Sequence, residues 1–341
     1  MEKAVLIIYT GGTIGMINDP QTGSLYPFDF EQIEKSVPEL KEFDFRIDSY
    51  TLPRIIDSSD VEPELWKTLC RIIKENYDRY HGFVILHGTD TMAYSASALS
   101  FMLKNLGKPI VFTGSQLPIG TIRTDGRENL IAALEIATAY MDDKAIVPET
   151  SILFGDKLFR GNRTTKSNAE SFDAFQSFNY PPLAEIGIRI NYNYSSINYR
   201  YSGAPLEIAE AMNTNIAVVK IFPGINISFL DSILKTPGLE GVILETYGAG
   251  NAPSDRKFLD KLEEFAEKGI LIYNVTQCMG GKVDMGLYKT SRTLIDLGVV
   301  SGYDITVEAA VCKMMHILGN YKGTEKRRGL LKKCINGEIS I

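Results

Sequence analysis

The residue types able to do chemistry cluster in two short runs. Thr10-Gly11-Gly12-Thr13-Ile14-Gly15 follows the apolar stretch Ala4–Tyr9, and His87-Gly88-Thr89-Asp90-Thr91 follows the apolar stretch Gly82–Leu86. A short apolar run bounded by turn residues suits a strand buried on both faces of a parallel sheet. Glycines around one threonine let the backbone bend at the carboxyl end of such a strand, the edge at which open α/β sheets bind ligands. A hydroxyl held there is a candidate nucleophile, and backbone N–H groups beside it can receive a developing oxyanion. If the two strands are neighbours, Thr13, Thr89 and Asp90 face one cleft. A glycine-rich turn serving only the turn, or a phosphate, is the plainer alternative.

The spacing argues against nucleotide chemistry. No Lys-Ser/Thr pair follows the first loop, as G-x-x-x-x-G-K-[ST] requires, and Gly11, Gly12 and Gly15 do not fit G-x-G-x-x-G. A third polar run, Arg160-Gly161-Asn162-Arg163-Thr164-Thr165-Lys166, offers an amine. It reads as a solvated basic turn unless Lys166 folds back against Thr89 and Asp90, which spacing does not decide. His87, at the end of an apolar strand, reads as a buried, hydrogen-bonded histidine. The three histidines and four scattered cysteines, with no C-x-x-C pair, form neither a zinc pattern nor a disulfide framework.

The elements that must position these groups alternate along the chain. The polar stretch 16–31 reads as a loop or lid, with Tyr26 either anchoring it or delivered to the site. Phe45–Leu52 alternates as a strand. Asp60 reads as the cap of an amphipathic helix from Pro63 to about Tyr80, with Ser58 and Ser59 as spare caps or ligand-binding hydroxyls. Thr91 or Asp90 reads as the cap of the helix that begins at Met92. Further strands are expected at 108–113, 152–154, 216–221, 241–244 and 270–275, and helices at 125–141, 255–268 and 305–318. The alternation predicts an α/β protein with a parallel sheet wrapped by helices. A length of 341 residues suggests two domains. The Asn/Tyr/Ser-rich stretch 191–214 reads as the linker between a domain over 1–190 and another over 215–341.

Apolar and charged fractions of 44% and 23% are those of an ordinary globular protein. A formal net charge of −6 argues against nucleic acid or an anionic membrane surface as partner. No run approaches the ~20 apolar residues of a membrane span, and the N-terminus lacks an h-region and cleavage site, so a cytoplasmic location is expected.

Taken together, Tyr9–Gly15, His87–Thr91, Arg160–Lys166, Tyr247-Gly248-Ala249-Gly250-Asn251-Ala252-Pro253 and Thr276-Gln277-Cys278-Met279 resemble, in order and over nearly the whole chain, the bacterial type I (cytoplasmic) L-asparaginases. The resemblance implies a two-domain asparaginase-like fold, with a larger N-terminal α/β domain and a smaller flavodoxin-like C-terminal one. It implies homotetramers, as dimers of dimers with sites at subunit contacts. The implied reaction is hydrolysis of L-asparagine to L-aspartate and ammonia without metal or organic cofactor. By the same resemblance Thr13 matches the nucleophile, its loop including Gly12, and Tyr26 the loop tyrosine that assists it. Thr89, Asp90 and Lys166 match a second hydroxyl–carboxylate–amine relay. Ser58 and Ser59 match the segment that holds the substrate α-carboxylate, and Asp90 the group that meets its α-ammonium.

The chemistry is consistent with those roles. A primary amide is a poor electrophile and a threonine hydroxyl a weak nucleophile, so a base is needed. An ionised Asp90 favours the charged ammonium of Lys166, so a shared hydrogen-bond network suits the site better than a lone lysine base. One departure concerns a second, activating asparagine site of some cytoplasmic members. Thr165, Asn251 and Cys278 match residues lining it, but Glu245 stands where those members carry an arginine. An arginine clamps a carboxylate with two charge-assisted hydrogen bonds and a glutamate repels it, so activation through this site is expected to be weak or absent. The rival readings are a mixed glutaminase-asparaginase, an amidotransferase subunit, and a catalytically silent amino-acid-binding protein on the same fold.

Overall fold

The computed structural model describes residues 2–18, 25–27, 33, 35–199, 203–286 and 289–340. The chain divides into two compact units, residues 1–208 and 209–341. The first is built on an eight-stranded sheet. Its strands are β1 (Ala4–Tyr9), β2 (Arg46–Thr51), β3 (Gly82–Leu86), β4 (Ile110–Thr113), β5 (Thr150–Phe154), β6 (Lys157–Arg160), β7 (Ala184–Ile186) and β8 (Ile190–Tyr192), in the spatial order β8-β7-β6-β5-β4-β3-β1-β2. The first five in sequence run parallel, and β6 to β8 add antiparallel hairpins. The sheet is therefore mixed, where the alternation pattern predicts a parallel one. The three hairpin strands are too short for their periodicity to stand out.

β1, β3, β4 and β5 are buried along their whole length, as the apolar runs of β1 and β3 require, with Thr113, Thr150 and Ser151 as buried hydroxyls in β4 and β5. Val5, Ile7, Tyr9, Val84 and Leu86 share a core with Leu130 and Leu134 of α3 (Gly126–Ala137). Two further helices are α1 (Pro63–Asn76) and α2 (Met92–Met102). α2 is buried on nearly every side, consistent with its lack of a polar face. The stretch 191–214 is not uniformly irregular: β8 ends within it, and Glu207–Ile208 pairs with Leu103–Lys104 inside the first unit.

Two expected caps are corrected. Asp60 lies inside a short 3-10 turn, Ser58–Asp60, and Glu62 occupies the N-cap of α1 without a side-chain bond. The side chain that caps the 3-10 turn is Asp57, whose carboxylate accepts from the Ser59 N–H at 2.9 Å. Thr91 does hold the N-cap position of α2, but its φ/ψ of −117°/13° lies outside the extended region a capping side chain uses. Its hydroxyl donates to the Ser58 carbonyl instead. Of the stretch 16–31, Met16–Asn18 and Leu25–Pro27 form a two-stranded antiparallel hairpin in which Tyr26 opposes Ile17. The remainder, and the Tyr26 side chain, lie outside the described residues.

The second unit carries a four-stranded, all-parallel sheet, in spatial order β9 (Ile216–Lys220), β10 (Gly241–Thr246), β11 (Leu271–Thr276) and β12 (Val300–Ser301). Helices α4 (Ile227–Leu234) and α5 (Arg256–Glu267) share its core through Leu230, Phe258 and Leu262. The long helix near the end is Val307–Asn320. Within it Lys313 is fully buried and forms an ion pair with the equally buried Glu338 at 2.7 Å. The ammonium also donates to the carbonyls of Leu331 and Lys333. Burial acts to raise the Glu338 carboxyl, but Lys313 and the N–H groups of Ile335 and Asn336 bring it below the usual carboxylate range.

Candidate active site

β1 and β3 are neighbours in the sheet, with Tyr9 opposite Leu86 in the register. Their following loops therefore emerge side by side at the carboxyl edge. Thr10 ties them together: its N–H and its hydroxyl both donate to the Leu86 carbonyl, at 3.0 and 2.9 Å. Gly12 has φ +92°, a conformation L side chains rarely adopt, and a Cβ on it would lie 2.5 Å from the Gly88 Cα. Gly88 is pressed from another side by Ser58, whose Cβ and Oγ would stand 2.6 Å from a side chain there. Backbone thus meets backbone, and Thr13 and Thr89 each follow one of the touching glycines.

Thr13 opens a one-turn 3-10 helix, Thr13–Gly15, and is half-buried. Four successive carbonyls of this turn are held. Gly12 O accepts from Gly15 N–H, Thr13 O from Met16 N–H, Ile14 O from Ile119 N–H, and Gly15 O from the Tyr9 hydroxyl at 2.8 Å.

The segment that leads to Lys166 is buried rather than solvated. Arg160, Asn162, Arg163 and Thr164 are each 5% exposed or less. Arg160 at the end of β6 forms a buried ion pair with Glu149 at 2.6 Å, and the Thr164 hydroxyl donates to the Arg160 carbonyl. Thr165–Lys166 then pairs antiparallel with Phe175–Gln176. This hairpin folds Lys166 back, so that its Nζ donates to Thr89 Oγ1 and to Asp90 Oδ1, both at 2.7 Å.

A hydrogen-bond chain fixes the loop after β3 from beneath. Trp66 Nε1–H donates to Ser95 Oγ at 2.9 Å, and Ser95 Oγ lies 2.9 Å from His87 Nε2. His87 Nδ1 lies 2.7 Å from the Gly88 carbonyl. That carbonyl can only accept, so Nδ1 carries the proton and Nε2 accepts from the serine hydroxyl. Complete burial lowers the imidazole pKa to about 4, so the ring is neutral at neutral pH. His87 is thus a buried, satisfied histidine, as its position at the strand end suggests.

Ser58 is buried, while Ser59 is exposed and directs its hydroxyl, like its N–H, to Asp57. Those two bonds hold the Asp57 carboxyl below its usual range. Ser59 also borders a cleft of about 950 Å³. Of the residues matched to an effector site, Thr165 lies in the first unit and Glu245, Asn251 and Cys278 in the second. Glu245, on β10, faces Lys220 at 3.7 Å. Asn251 forms an isolated bridge with Tyr247, and Cys278 is exposed. Among the described residues no group of three or more His, Cys, Asp or Glu side chains is placed to hold a metal ion. No helix among them is long and apolar enough to cross a membrane.

Sequence reasoning missed the supports: Tyr9 under the first turn, the Trp66–Ser95–His87 chain, and the Glu149–Arg160 pair. Only His87 carried a legible signal.

Two adjacent strand ends that present a Gly-Gly-Thr turn and a Gly-Thr-Asp turn, with a lysine folded onto the second, define a class. The family profile described as Asparaginase, N-terminal, matches residues 4–198, and that of the Glutaminase/Asparaginase C-terminal domain matches residues 215–331. The chain belongs to the asparaginase family. Within it, the chain is 43% identical over 344 residues to L-asparaginase 1 of Escherichia coli (strain K12), covering 99% of this chain and 98% of that one. The structure of L-asparaginase I from Vibrio cholerae superposes with a TM-score of 0.90 at 39% identity, covering 100% of both chains. The thermostable L-asparaginase from Thermococcus kodakarensis gives a TM-score of 0.90 at 31% identity, covering 99% of both.

Proposed function

We infer that this protein hydrolyses L-asparagine to L-aspartate and ammonia through a threonine nucleophile. The observation that carries the reading is Lys166 Nζ at 2.7 Å from both Thr89 and Asp90, beside the tightly held Thr13 turn. Thr13 Oγ1 attacks the side-chain amide carbon and gives up its proton, aided by the Tyr26 phenol. The tetrahedral oxyanion collapses, ammonia leaves with that proton, and an acyl ester on Thr13 remains. Water, activated through Thr89 and Lys166, adds to the ester and releases aspartate with the threonine hydroxyl restored. The network passes protons between groups and so does not require Lys166 to sit as a free amine next to Asp90. The Gly12 loop and Ser58–Ser59 bind the substrate backbone, and Asp90 takes its α-ammonium. The family resemblance supports a cytoplasmic enzyme acting as a tetramer of paired dimers.

The test is ammonia release from L-asparagine and from L-glutamine, with Thr13→Ala as control. Asparagine-selective turnover that Thr13→Ala abolishes is expected. Comparable glutamine turnover makes the protein a mixed glutaminase-asparaginase. No turnover of either amide by the folded protein overturns the reading in favour of an amino-acid-binding protein.

A further inference from the structure

The Thr13–Gly15 turn holds four carbonyls, three through backbone N–H groups and one through a side chain, the Tyr9 hydroxyl on Gly15 O. Tyr9 is the last residue of β1 and is completely buried. Its phenol stands directly against Gly15, so that any Cβ at position 15 would collide with the ring carbons and the hydroxyl. Gly15 is also the point where the chain leaves the turn and enters the 16–18/25–27 hairpin.

We propose that Tyr9 is a positioning residue for Thr13, its hydroxyl pinning the exit of the nucleophile turn and its ring requiring glycine at position 15. The proposal rests on Thr13 being the nucleophile. The upstream end of the turn is fixed by Thr10 on Leu86 and by the Gly12–Gly88 contact. At the downstream end Ile119 N–H holds the Ile14 carbonyl, and the phenol holds the last carbonyl, that of Gly15. Without the hydroxyl, a buried carbonyl loses its donor and the short turn shifts to find another, which displaces a hydroxyl that must attack within a few tenths of an ångström of its trajectory. Because the Tyr9 hydroxyl is occupied and pushed far above the ordinary phenol range by burial, it donates without exchanging protons with substrate.

The experiment compares Tyr9→Phe, Gly15→Ala, the double variant Tyr9→Ala/Gly15→Ala and Thr13→Ala with the unaltered protein. Each is assayed for kcat and KM on L-asparagine. Each is also treated with an asparagine analogue carrying a diazoketone, which alkylates an activated hydroxyl with loss of nitrogen. Mass spectrometry gives both the labelling rate constant and the final stoichiometry. The rate constant reports how the folded site presents its nucleophile, and the stoichiometry reports how much protein is folded.

Tyr9→Phe is expected to lower kcat and the labelling rate constant about tenfold, with KM within about twofold and full stoichiometry. Gly15→Ala is expected to be slower still, and the double variant faster than Gly15→Ala because the smaller residue at position 9 makes room for the Cβ. A Tyr9→Phe variant that labels at the unaltered rate overturns the proposal. So does a loss of stoichiometry with an unchanged rate constant, which marks a structural role only. If Thr13→Ala still turns over asparagine, the nucleophile assignment itself fails. If Thr13→Ala is inert while Tyr9→Phe is unimpaired, only the inference about Tyr9 fails.

Discussion

Lys166 Nζ lies 2.7 Å from Thr89 Oγ1, and the lysine side chain is only 17% exposed, although the Asp90 side chain it also touches is 66% exposed. The amine is therefore held by the hairpin that carries it more than by its ion pair, which at such exposure is worth about 0–1 kcal/mol. Lys166→Met is expected to cut kcat by ~10²–10⁴-fold, the range for a lost acid–base group. The melting temperature should move by only about 2–4 °C or less. A variant with near-normal kcat, or one whose activity falls only in step with unfolding, would remove Lys166 from the mechanism.

His87 supplies a pH prediction. Its pKa is lowered to about 4 in the folded protein by burial, against about 6.5 in an unfolded chain. Between those values the unfolded state binds more protons, so stability rises with pH through this window and is lost as pH falls from about 6.5 toward 4. The shift corresponds to about 3 kcal/mol as an order of magnitude. Imidazole NMR signals of His87 should stay fixed from pH 8 to about 5. A titration near 6.5 would show that the ring is not locked between Ser95 and the Gly88 carbonyl.

Glu245 bears on regulation. A second asparagine binding there would bring its carboxylate to a glutamate already paired with Lys220. Repulsion at that position predicts a hyperbolic dependence of initial rate on asparagine, with a Hill coefficient of about 1, measured from well below to well above KM. A sigmoidal curve that becomes hyperbolic on mutation of Thr165 or Cys278 would contradict this.

The Lys313–Glu338 pair is a stability element distant in sequence from the proposed chemistry. Both side chains are fully buried. Removing one partner leaves an uncompensated charge, so Glu338→Gln or Lys313→Met is expected to destabilise by about 3–5 kcal/mol. The double replacement Lys313→Met/Glu338→Gln should cost less than the sum of the singles. Urea unfolding of the three variants measures the coupling, and additive effects would show that the two charges do not depend on each other.

The legible parts of the fold were the continuous apolar runs. Ala4–Tyr9 and Gly82–Leu86 are strands over the spans their composition marks, because Lys3 and Thr10 bound the first and His81 and His87 the second. Helix ends were less legible. The α1 pattern runs on to Tyr80, but the helix stops at Asn76, where the Asn76 side chain turns back to the Ile72 carbonyl. Thr91 has the composition of a cap, yet a partner 33 residues away takes its hydroxyl. The placement of Lys166 was not legible at all, since it depends on Phe175–Gln176 pairing with Thr165–Lys166 and on a buried Arg160–Glu149 pair. Such contacts leave no periodic trace in a single sequence.

The close approach of Gly12 to Gly88 also shapes how this protein can diverge. Neither glycine has room for a side chain, because Gly12 faces main chain and Gly88 faces the short Ser58 side chain, Cβ as well as Oγ. A substitution at one cannot be accommodated by a matching change at the other, so no stepwise route alters the platform while keeping it closed. Ser59, exposed beside its cleft, has no such restriction. Change is therefore open to exposed positions such as Ser59, while the touching glycines that precede Thr13 and Thr89 are held as they are.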